Sequence, residues 1–208
     1  MNGPAKAATT AHAAADRFAE AIAAIDRANA EDPNTATVDG RERPAEMLYS
    51  ERMTEALSGF CPDASEELRL AARGQHIRRW SMARADYETG RLGYLKWRTA
   101  LKRYHAVTVG AIMADCGYGE AEVDRVQSLI RKERLKHDPE AQTLEDVICL
   151  VFLSHYFGDF AAKHDDDKVI SIVRKTWGKM SERGHEAALK LDLSPETLRL
   201  VGAALGET

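Results

Sequence analysis

The chain has few of the features that mark secreted or membrane proteins. Only three cysteines occur among 208 residues, widely spaced and without a CxxC pair. This pattern predicts neither a disulfide framework nor a thiolate zinc site, and it favours a reducing compartment. The longest apolar run, VICLVFL at residues 147–153, is far too short to span a bilayer, and the N-terminus does not resemble a signal peptide. We therefore expect a cytoplasmic protein that does not enter a membrane.

Strand patterns are also missing from the sequence. Nowhere do apolar and polar residues alternate between hairpin turns, whereas apolar residues recur at helical spacing along most of the chain. We predict an all-α fold with about eight or nine helices in a single domain over residues 10–208, after a flexible segment of residues 1–9.

Polar residues and prolines give several of the helix boundaries. We predict a third helix over residues 65–80 and a long fourth helix that stops at Gly117. The residues expected to begin or cap other helices are Pro44, Asp63 or Ser65, Asp138 with Pro139, Asp165, and Ser194 with Pro195.

Positive charge is concentrated in one part of a chain whose formal net charge is −4. Residues 68–105 hold ten Lys or Arg and two acidic residues, which gives a local charge of 10 − 2 = +8. The same segment carries two His and two Trp. Arg pairs with carboxylate or phosphate, and aromatic faces stack on rings, so the mixture suits an anionic, partly planar ligand. Two solvated amphipathic helices would give the same composition, and the net acidic chain argues against general adsorption to nucleic acid or membrane.

Two histidines in this segment are candidates for chemistry. His105 shares a stripe with Trp97, Leu101, Thr108 and Ile112 at spacings of three and four, so we expect it to be buried. It is then either a functional group or a core histidine hydrogen-bonded to a backbone carbonyl. On the third helix, Gln75 and His76 lie at the boundary between the predicted core face and a cleft.

Adjacent carboxylates precede the apolar run. Glu145 and Asp146 lie well inside a helix that begins near Pro139 and must be largely enclosed. Burying an unpaired carboxylate costs several kcal/mol, so a metal, an Arg or a proton has to compensate.

Imidazole and carboxylate groups from three helices form the predicted site. His76, His105 and Asp146 are the candidate ligands of a divalent metal (Zn, Mn, Fe or Mg), and Glu145 and His76 are the candidate catalytic groups. The candidate substrate-binding residues are Tyr49, Arg52, Gln75, Arg79, Trp97 and Arg98.

Long strings of the chain resemble the domain of unknown function 4202 family, which implies no activity by itself. These strings are AIDRANAEDPN, LYSERM, ELRLAARGQHIRRW, GYLKWRTALKRYHA, QTLEDVICLVFLSHYF and VRKTWGKMS.

A more distant similarity is to the HD phosphohydrolase superfamily, which implies a helical domain and a metal-dependent phosphohydrolase. YHAVTVGAIMADCGY and LEDVICL are similar to two of its metal-binding elements, so His105 and Asp146 carry over as ligands. Tyr49 stands where the first His is expected, and Gln75 with His76 replaces the His-Asp pair. In a shifted alignment, His76 matches the His and Ile77 replaces the Asp.

The residues and the resemblance lead to three functional hypotheses. The first is an HD-like metal-dependent hydrolase acting on a nucleotide or another phosphorylated small molecule. The second is a metal-free helical sensor that binds a small anion without turnover. The third is an RNA-binding module that uses the basic segment. A homodimer is left open.

Overall fold

The computed structural model describes residues 4–206, with side chains described from residue 16. Of the predicted flexible segment, residues 1–3 lie outside the described residues, and the first helix begins at Pro4. The described part contains ten α-helices, a two-stranded hairpin and two short 3₁₀ turns. The helices are α1 (Pro4–Ala30), α2 (Ala45–Phe60), α3 (Glu66–Arg73), α4 (Gly90–Asp115), α5 (Glu120–Arg131), α6 (Pro139–His155), α7 (Phe157–Ala161), α8 (Asp166–Trp177), α9 (Glu182–Ala188) and α10 (Pro195–Leu205). The fold is thus predominantly α-helical, as predicted.

Four helix starts are confirmed with their caps. Ser65, Asp138, Asp165 and Ser194 each accept a hydrogen bond from a backbone amide in the first turn of the following helix. A side-chain oxygen at this position satisfies amides that have no partner inside the helix. Of the two caps considered for α3, the structure selects Ser65.

The described residues group into two compact units, where the sequence predicted one domain. The first comprises residues up to Thr54 together with Asp63–Glu133, and the second comprises Glu55–Pro62 with residues from Arg134 onward. In the first unit α1 packs against α3 and α4, and α5 packs against α3 and α4. In the second, α6 packs against α7 and α9, while α8 packs against α7 and α10.

Each unit has its own fully buried apolar side chains. Those of the first unit include Ile25, Met53, Leu68, Leu70, Ile77, Met113, Leu129 and Ile130. Those of the second include Leu57, Leu144, Val147, Phe157 and Leu200. Burial of such side chains contributes about 1.5–3 kcal/mol each.

A hairpin lies where the sequence predicted only a loop. Strands β1 (Thr35–Val38) and β2 (Arg41–Pro44) pair antiparallel, and Asp39 and Gly40 form the turn with φ of 52° and 74°. The prediction of no strands was wrong because each strand has only four residues and buries little, and β2 shows no apolar alternation. The Asp-Gly pair was the available signal, since such pairs favour the turn of a two-residue hairpin.

The third helix is shorter than predicted. It ends at Arg73, and residues 74–78 form turns instead of helix. A Cβ at Gly74 would lie 2.3 Å from Val109 Cγ2, and Arg78 adopts the left-handed conformation with φ of 48°. The predicted helix over residues 65–80 is therefore corrected at its C-terminal half, and Gln75 and His76 lie in a turn.

The long fourth helix is confirmed, with a change in its buried stripe. Trp97, Leu101 and His105 are buried as predicted, but Thr108 and Ile112 are only partly buried. The stripe continues through Ala106, Val109 and Met113 instead. Gly117 follows the helix with φ of 84°, as its predicted role as terminator requires.

Two short helices, α7 and α9, were not predicted. They have five and seven residues, which is too short for a clear apolar periodicity. No helix in the described part of the chain has both the length and the apolar character needed to cross a membrane.

Candidate functional site

Polar side chains from three parts of the first unit meet at its most unusual cluster. The first turns of α2 carry Glu46 and Tyr49, the turn after α3 carries His76, and α4 carries His105. We call this group, together with Arg79, the Glu46 cluster. The local fold explains the meeting, because the chain leaves the helix after Arg73 and turns at Gly74.

Glu46 lies at the centre of the cluster. Its side chain is 12% exposed, with Oε2 3.4 Å from His76 Nδ1 and Oε1 3.7 Å from Arg79 Nη1. Its backbone amide donates to Oδ2 of Asp32, so this end of α2 is held by a second buried acid. A carboxyl group in such surroundings loses most of its hydration and keeps one cationic partner.

Burial raises the pKa of Glu46 to about 7. The positive charge of Arg79 opposes this rise, and the negative charge of Asp32 adds to it. The carboxyl group therefore changes its protonation state near neutral pH. Groups with this property in partly buried sites are candidates for acid–base chemistry.

His76 is held between an aromatic ring and the carboxyl group. Its imidazole stacks on Tyr49 with ring centroids 4.0 Å apart and planes 11° from parallel. The side chain is 26% exposed, so the cluster reaches the surface of the unit. Burial lowers the pKa of His76 well below its ordinary value, and the charges of Arg79, Arg98 and Lys132 lower it further. The ring is thus neutral at pH 7.

His105 lies deeper than His76. Its Nδ1 is 2.8 Å from the carbonyl oxygen of Ile77, and only 3% of the residue is exposed. A neutral ring that donates through Nδ1 leaves Nε2 as an acceptor. Burial lowers the pKa of His105 to about 3, and the neighbouring His76 adds to the effect. The expected burial of His105 and a hydrogen bond to a backbone carbonyl are both present, and since a metal-ligating histidine makes the same bond through its other nitrogen, both alternatives stand.

Cationic side chains surround the imidazole of His76. Arg79 lies over the ring of Trp97 at 5.3 Å and is 37% exposed, and Trp97 Nε1 donates to the Met82 carbonyl. Arg98 lies 6.0 Å from the ring of Tyr94. With Lys132, these charges come from three parts of the unit and act on one ring. Their sum makes the surroundings of His76 electropositive.

Gln75 contributes an unpaired acceptor. The residue is 4% exposed, and its Oε1 has no hydrogen-bond partner among the described residues. A buried amide oxygen without a partner costs about 1–3 kcal/mol. Gln75 precedes His76 in the chain, and a buried acceptor without a partner is a place for a donor such as a water molecule.

The two predicted carboxylates of α6 belong to the second unit. Asp146 is 2% exposed, and Oδ1 accepts from Gln142 Nε2 at 3.1 Å and from the Ser181 amide at 2.8 Å. Oδ2 accepts from the Ser181 hydroxyl at 2.6 Å, and Ser181 in turn caps α9. A Cβ at Gly184 would lie 2.6 Å from Oδ1. Asp146 therefore joins α6 to the start of α9.

Glu145 is buried beside a lysine. It is 3% exposed, with Oε1 3.8 Å from Nζ of Lys179, a side chain that is half exposed. The expected enclosure of both carboxylates is confirmed. Hydrogen bonds offset the cost of burying the Asp146 carboxylate, and the nearby Lys179 offsets that of Glu145.

The predicted site residues divide between the units. The first unit holds Tyr49, Arg52, Gln75, His76, Arg79, Trp97, Arg98 and His105, whereas Glu145 and Asp146 lie in the second. Arg52 is half-buried on α2. Within the described residues, no group of three or more His, Cys, Asp or Glu side chains is arranged to hold a metal ion. The predicted metal ligands, His76, His105 and Asp146, thus draw on both units.

Sequence reasoning missed Glu46. An acid in the first turn of a helix is ordinarily explained by the helix dipole. The available signal was its spacing, because Glu46 precedes Tyr49 by three residues and Met53 by seven, which places it on the buried face of α2.

Comparison with curated proteins and with solved structures gave no significant match. A family model described as a domain of unknown function (DUF4202) matches residues 19–201, which is most of the chain. The chain therefore belongs to the DUF4202 family.

Proposed function

We propose that the Glu46 cluster binds a small phosphorylated anion and hydrolyses it by acid–base chemistry. The observation that carries the proposal is Glu46 itself, a carboxyl group that is only 12% exposed and in contact with both Arg79 and His76. This proposal retains the hydrolase expected from the resemblance to the HD phosphohydrolase superfamily. It moves the acid–base role from Glu145 to Glu46.

Charge and stacking support the choice of ligand. Arg79 presents paired donors that match a phosphate, and Arg98 and Lys132 add positive charge around the same ring. Since Trp97 is 8% exposed and its Nε1 is bonded, it supports Arg79 and gives little surface for a stacked RNA base.

The chemistry assigned to the chain is proton transfer. Water attacks phosphorus, the ester P–O bond breaks, and the leaving oxygen takes the proton of Glu46. Neutral His76 takes the proton of the attacking water. A carboxyl group with a pKa near 7 and an unprotonated imidazole are the states that these two roles require.

The divalent metal implied by the HD resemblance fits this chain in part. His76 and His105 each offer a ring nitrogen, and a metal bound there would polarise the phosphate. The third expected ligand, Asp146, already has both oxygens engaged by Gln142 and Ser181. A divalent ion remains a prediction, and none of the proton transfers above depends on it.

Hydrolysis of a panel of nucleotides and phosphate monoesters tests the proposal. We expect phosphate release by the wild-type protein and a loss of at least about 100-fold in kcat/KM for Glu46→Gln and for His76→Asn, the range of acid–base contributions. Arg103→Met is the matched control, because Arg103 is an exposed side chain of the same basic segment. Activity that survives both Glu46→Gln and His76→Asn would contradict the assignment.

The second candidate function is ligand binding without turnover. The stacking of His76 on Tyr49 favours it, because this contact fixes the ring in one orientation, as a rigid recognition site requires. Binding of a phosphorylated ligand by the wild-type protein without release of phosphate, with or without added divalent ions, would select this function. Loss of that binding in Arg79→Met would locate it at the cluster.

A further inference from the structure

The first turns of α4 present an apolar face to solvent. Leu92 is 73% exposed and Leu95 is 48% exposed, and Thr99 on the next turn is exposed as well. The three residues follow one another at spacings of three and four, so they lie on one face of the helix. A single exposed leucine is ordinary, whereas two that follow one another on the same face form a patch. We call Leu92, Leu95 and Thr99 the α4 seam.

The same turns of α4 bury a different face. Gly93, Trp97 and Leu101 are buried, and the indole of Trp97 donates to the Met82 carbonyl. These turns are therefore anchored to the first unit by residues outside the seam. The apolar character of the seam is not explained by packing of the helix to which it belongs.

Basic side chains flank the seam on both sides. By helical geometry, Arg91 and Lys102 lie on one side of it, and Lys96 and Arg103 lie on the other. The helix holds five Lys or Arg, all before residue 104, and its one acid is its last residue, Asp115. Cations near the start of a helix oppose the helix dipole, so this arrangement does not serve the stability of α4. It favours an anionic partner instead.

One acid beside this surface forms a weak ion pair with it. Oε2 of Glu88, in the loop before α4, is 3.4 Å from Nζ of Lys96, and the two side chains are 74% and 67% exposed. An ion pair this exposed is weak and is screened by salt, so a carboxylate of a partner can replace Glu88. The other flanking cations keep the surface positive, because α4 has no acid between Arg91 and Arg103.

We propose that the α4 seam is a docking surface for an acidic amphipathic helix of another protein. Such a helix places apolar residues, at spacings of three and four, against Leu92 and Leu95. Its acidic residues lie along both sides, opposite the four flanking cations. Helices that pack side by side use this combination of an apolar centre and charged edges. The inference uses none of the residues of the Glu46 cluster and is independent of the proposed function.

Charge and chemistry disfavour three other occupants. A second copy of the chain that docks through the same seam brings like cations together. Leucine side chains neither stack on nucleobases nor form hydrogen bonds with them, so an RNA strand leaves the seam unused. An anionic membrane attracts the flanking cations, but the rest of the chain, outside residues 68–105, has a net charge of −4 − 8 = −12. A broad anionic surface repels that charge, whereas a single helix meets only the seam.

Binding of a synthetic peptide tests the inference. The probe is a fluorescein-labelled peptide of about three heptads, with Leu at the first and fourth positions and Glu at the fifth and seventh positions of each heptad. We expect saturable binding to the wild-type chain by fluorescence anisotropy, weakened about fivefold between about 0.1 M and 1 M salt. A scrambled peptide of the same composition should bind at least about tenfold more weakly, because it has no apolar stripe.

A double variant of the seam locates the contact. Leu92→Ser combined with Leu95→Ser should weaken binding of the probe at least about tenfold. The matched control combines Leu189→Ser with Leu198→Ser, two exposed leucines of the second unit, and should bind the probe as the wild type does. Titration with sulfate, a mimic of a phosphate group, should give the same affinity at Arg79 in all three proteins. The seam variant therefore loses the probe while its first unit stays intact.

A second double variant tests the charges. Lys96→Glu combined with Arg103→Glu should weaken binding of the probe at least about tenfold, because both side chains are exposed beside the seam. Unchanged affinity in this variant would overturn the charge complementarity on which the inference rests.

Three other results would overturn the docking surface. The first is no saturable binding of the probe, and the second is equal binding of the scrambled peptide or equal binding by the leucine variant of the seam. The third is failure of the probe together with another occupant that depends on Leu92 and Leu95. That occupant is a membrane if the chain sediments with vesicles of equal parts phosphatidylcholine and phosphatidylserine, and a second copy if sedimentation equilibrium shows a dimer.

Discussion

At the scale of single residues, the Glu46 cluster combines an acid and two bases whose pKa values are shifted in opposite directions. Burial raises the pKa of Glu46 and lowers the pKa of His76 and His105. At pH 6 all three groups are therefore mostly in their neutral forms, whereas a carboxyl group in water would be ionised at that pH. The unfolded chain has no such preference, so each group links stability to pH.

The first prediction concerns Glu46→Gln and stability. The folded chain holds the Glu46 proton more tightly than the unfolded chain, so this stabilisation is complete below pH 4.5 and is lost as the pH rises through about 7. We expect the free energy of unfolding of Glu46→Gln, minus that of the wild type, to increase by about 2–3 kcal/mol between pH 5 and pH 8. Urea unfolding at both pH values measures it.

The other titrating groups contribute equally to the free energy of unfolding of the wild type and of the variant, so their contributions cancel in this difference. Glu51→Gln is the control, because Glu51 is an acid on α2 that pairs with Arg43, outside the cluster. An equal difference for Glu46→Gln at pH 5 and pH 8 would show that Glu46 is hydrated and ordinary in the folded chain.

The second prediction concerns His105→Leu. The variant leaves the Ile77 carbonyl without its donor, which costs about 1–3 kcal/mol at pH 7. The folded-state pKa of His105 is about 3, below the ordinary value of 6.5, so the wild type loses stability as the pH falls below 6.5, whereas the variant does not. The gap between the two should narrow by about 2 kcal/mol from pH 7 to pH 5. A gap that widens on acidification would contradict the assignment.

At the scale of elements, the turn after α3 positions Gln75 and His76. Gly74 permits the close approach of this turn to α4, because any Cβ there would meet Val109, whose branched side chain has little freedom to move. The site therefore depends on a helix that ends early.

The third prediction follows from this contact. We expect Gly74→Ala to lower the free energy of unfolding by about 1–3 kcal/mol through overpacking, and to weaken sulfate binding because His76 moves. Gly59→Ala is the matched control: Gly59 lies in α2, its added methyl carbon would have no neighbour within 4 Å, and the variant should be neutral or stabilising. Chemical unfolding and sulfate titration of both variants measure the two effects. Equal stability of the two variants would contradict the packing argument.

A second element depends on Asp146. The carboxylate accepts from the amide and hydroxyl of Ser181 and from Gln142, so it fixes the start of α9.

The fourth prediction is that Asp146→Ala destabilises the chain by at least about 2 kcal/mol, because several buried groups lose a charged partner. Metal content, measured on wild type and variant, separates this role from that of a ligand. If the wild type carries stoichiometric metal and Asp146→Ala loses it while its stability is unchanged, Asp146 is a ligand and the account of α9 is wrong.

The element boundaries show which features of the fold can be predicted from neighbouring residues in the sequence. Ser65, Asp138, Asp165 and Ser194 predicted helix starts because capping is decided by a residue and its next few neighbours. The end of α3 depends on Val109, which lies 35 positions after Gly74 in the chain, so no local pattern could give it. The hairpin was missed because its strands have only four residues each and β2 has no apolar face.

At the scale of the whole molecule, the same distinction applies to the candidate site. Helical phase correctly predicted a buried position for His105, and the adjoining apolar run correctly predicted the burial of Glu145 and Asp146. It could not show that the neighbour of His76 is Glu46, because that contact joins two segments 30 residues apart. The hydrogen bond between His105 and the Ile77 carbonyl likewise joins two segments, 28 residues apart.

The distribution of charge along the chain supports the proposed anionic ligand. The chain is acidic overall, yet the cations of residues 68–105 include Arg79 and Arg98, which act on His76. Membership of the DUF4202 family fixes no ligand, so the case for an anion rests on these contacts. The cytoplasmic location, the divalent metal and a homodimer stay predictions.

The fifth prediction tests the anion site most directly, by calorimetric titration of sulfate into the wild-type chain, Arg79→Met and Arg103→Met at pH 6. At this pH Glu46 is largely protonated, so the charge of Arg79 is free to act on the ligand. We expect Arg79→Met to weaken sulfate binding by about 10- to 100-fold, as loss of a charge-assisted contact implies, and Arg103→Met to bind as wild type does. Equal affinity of all three proteins would contradict the account.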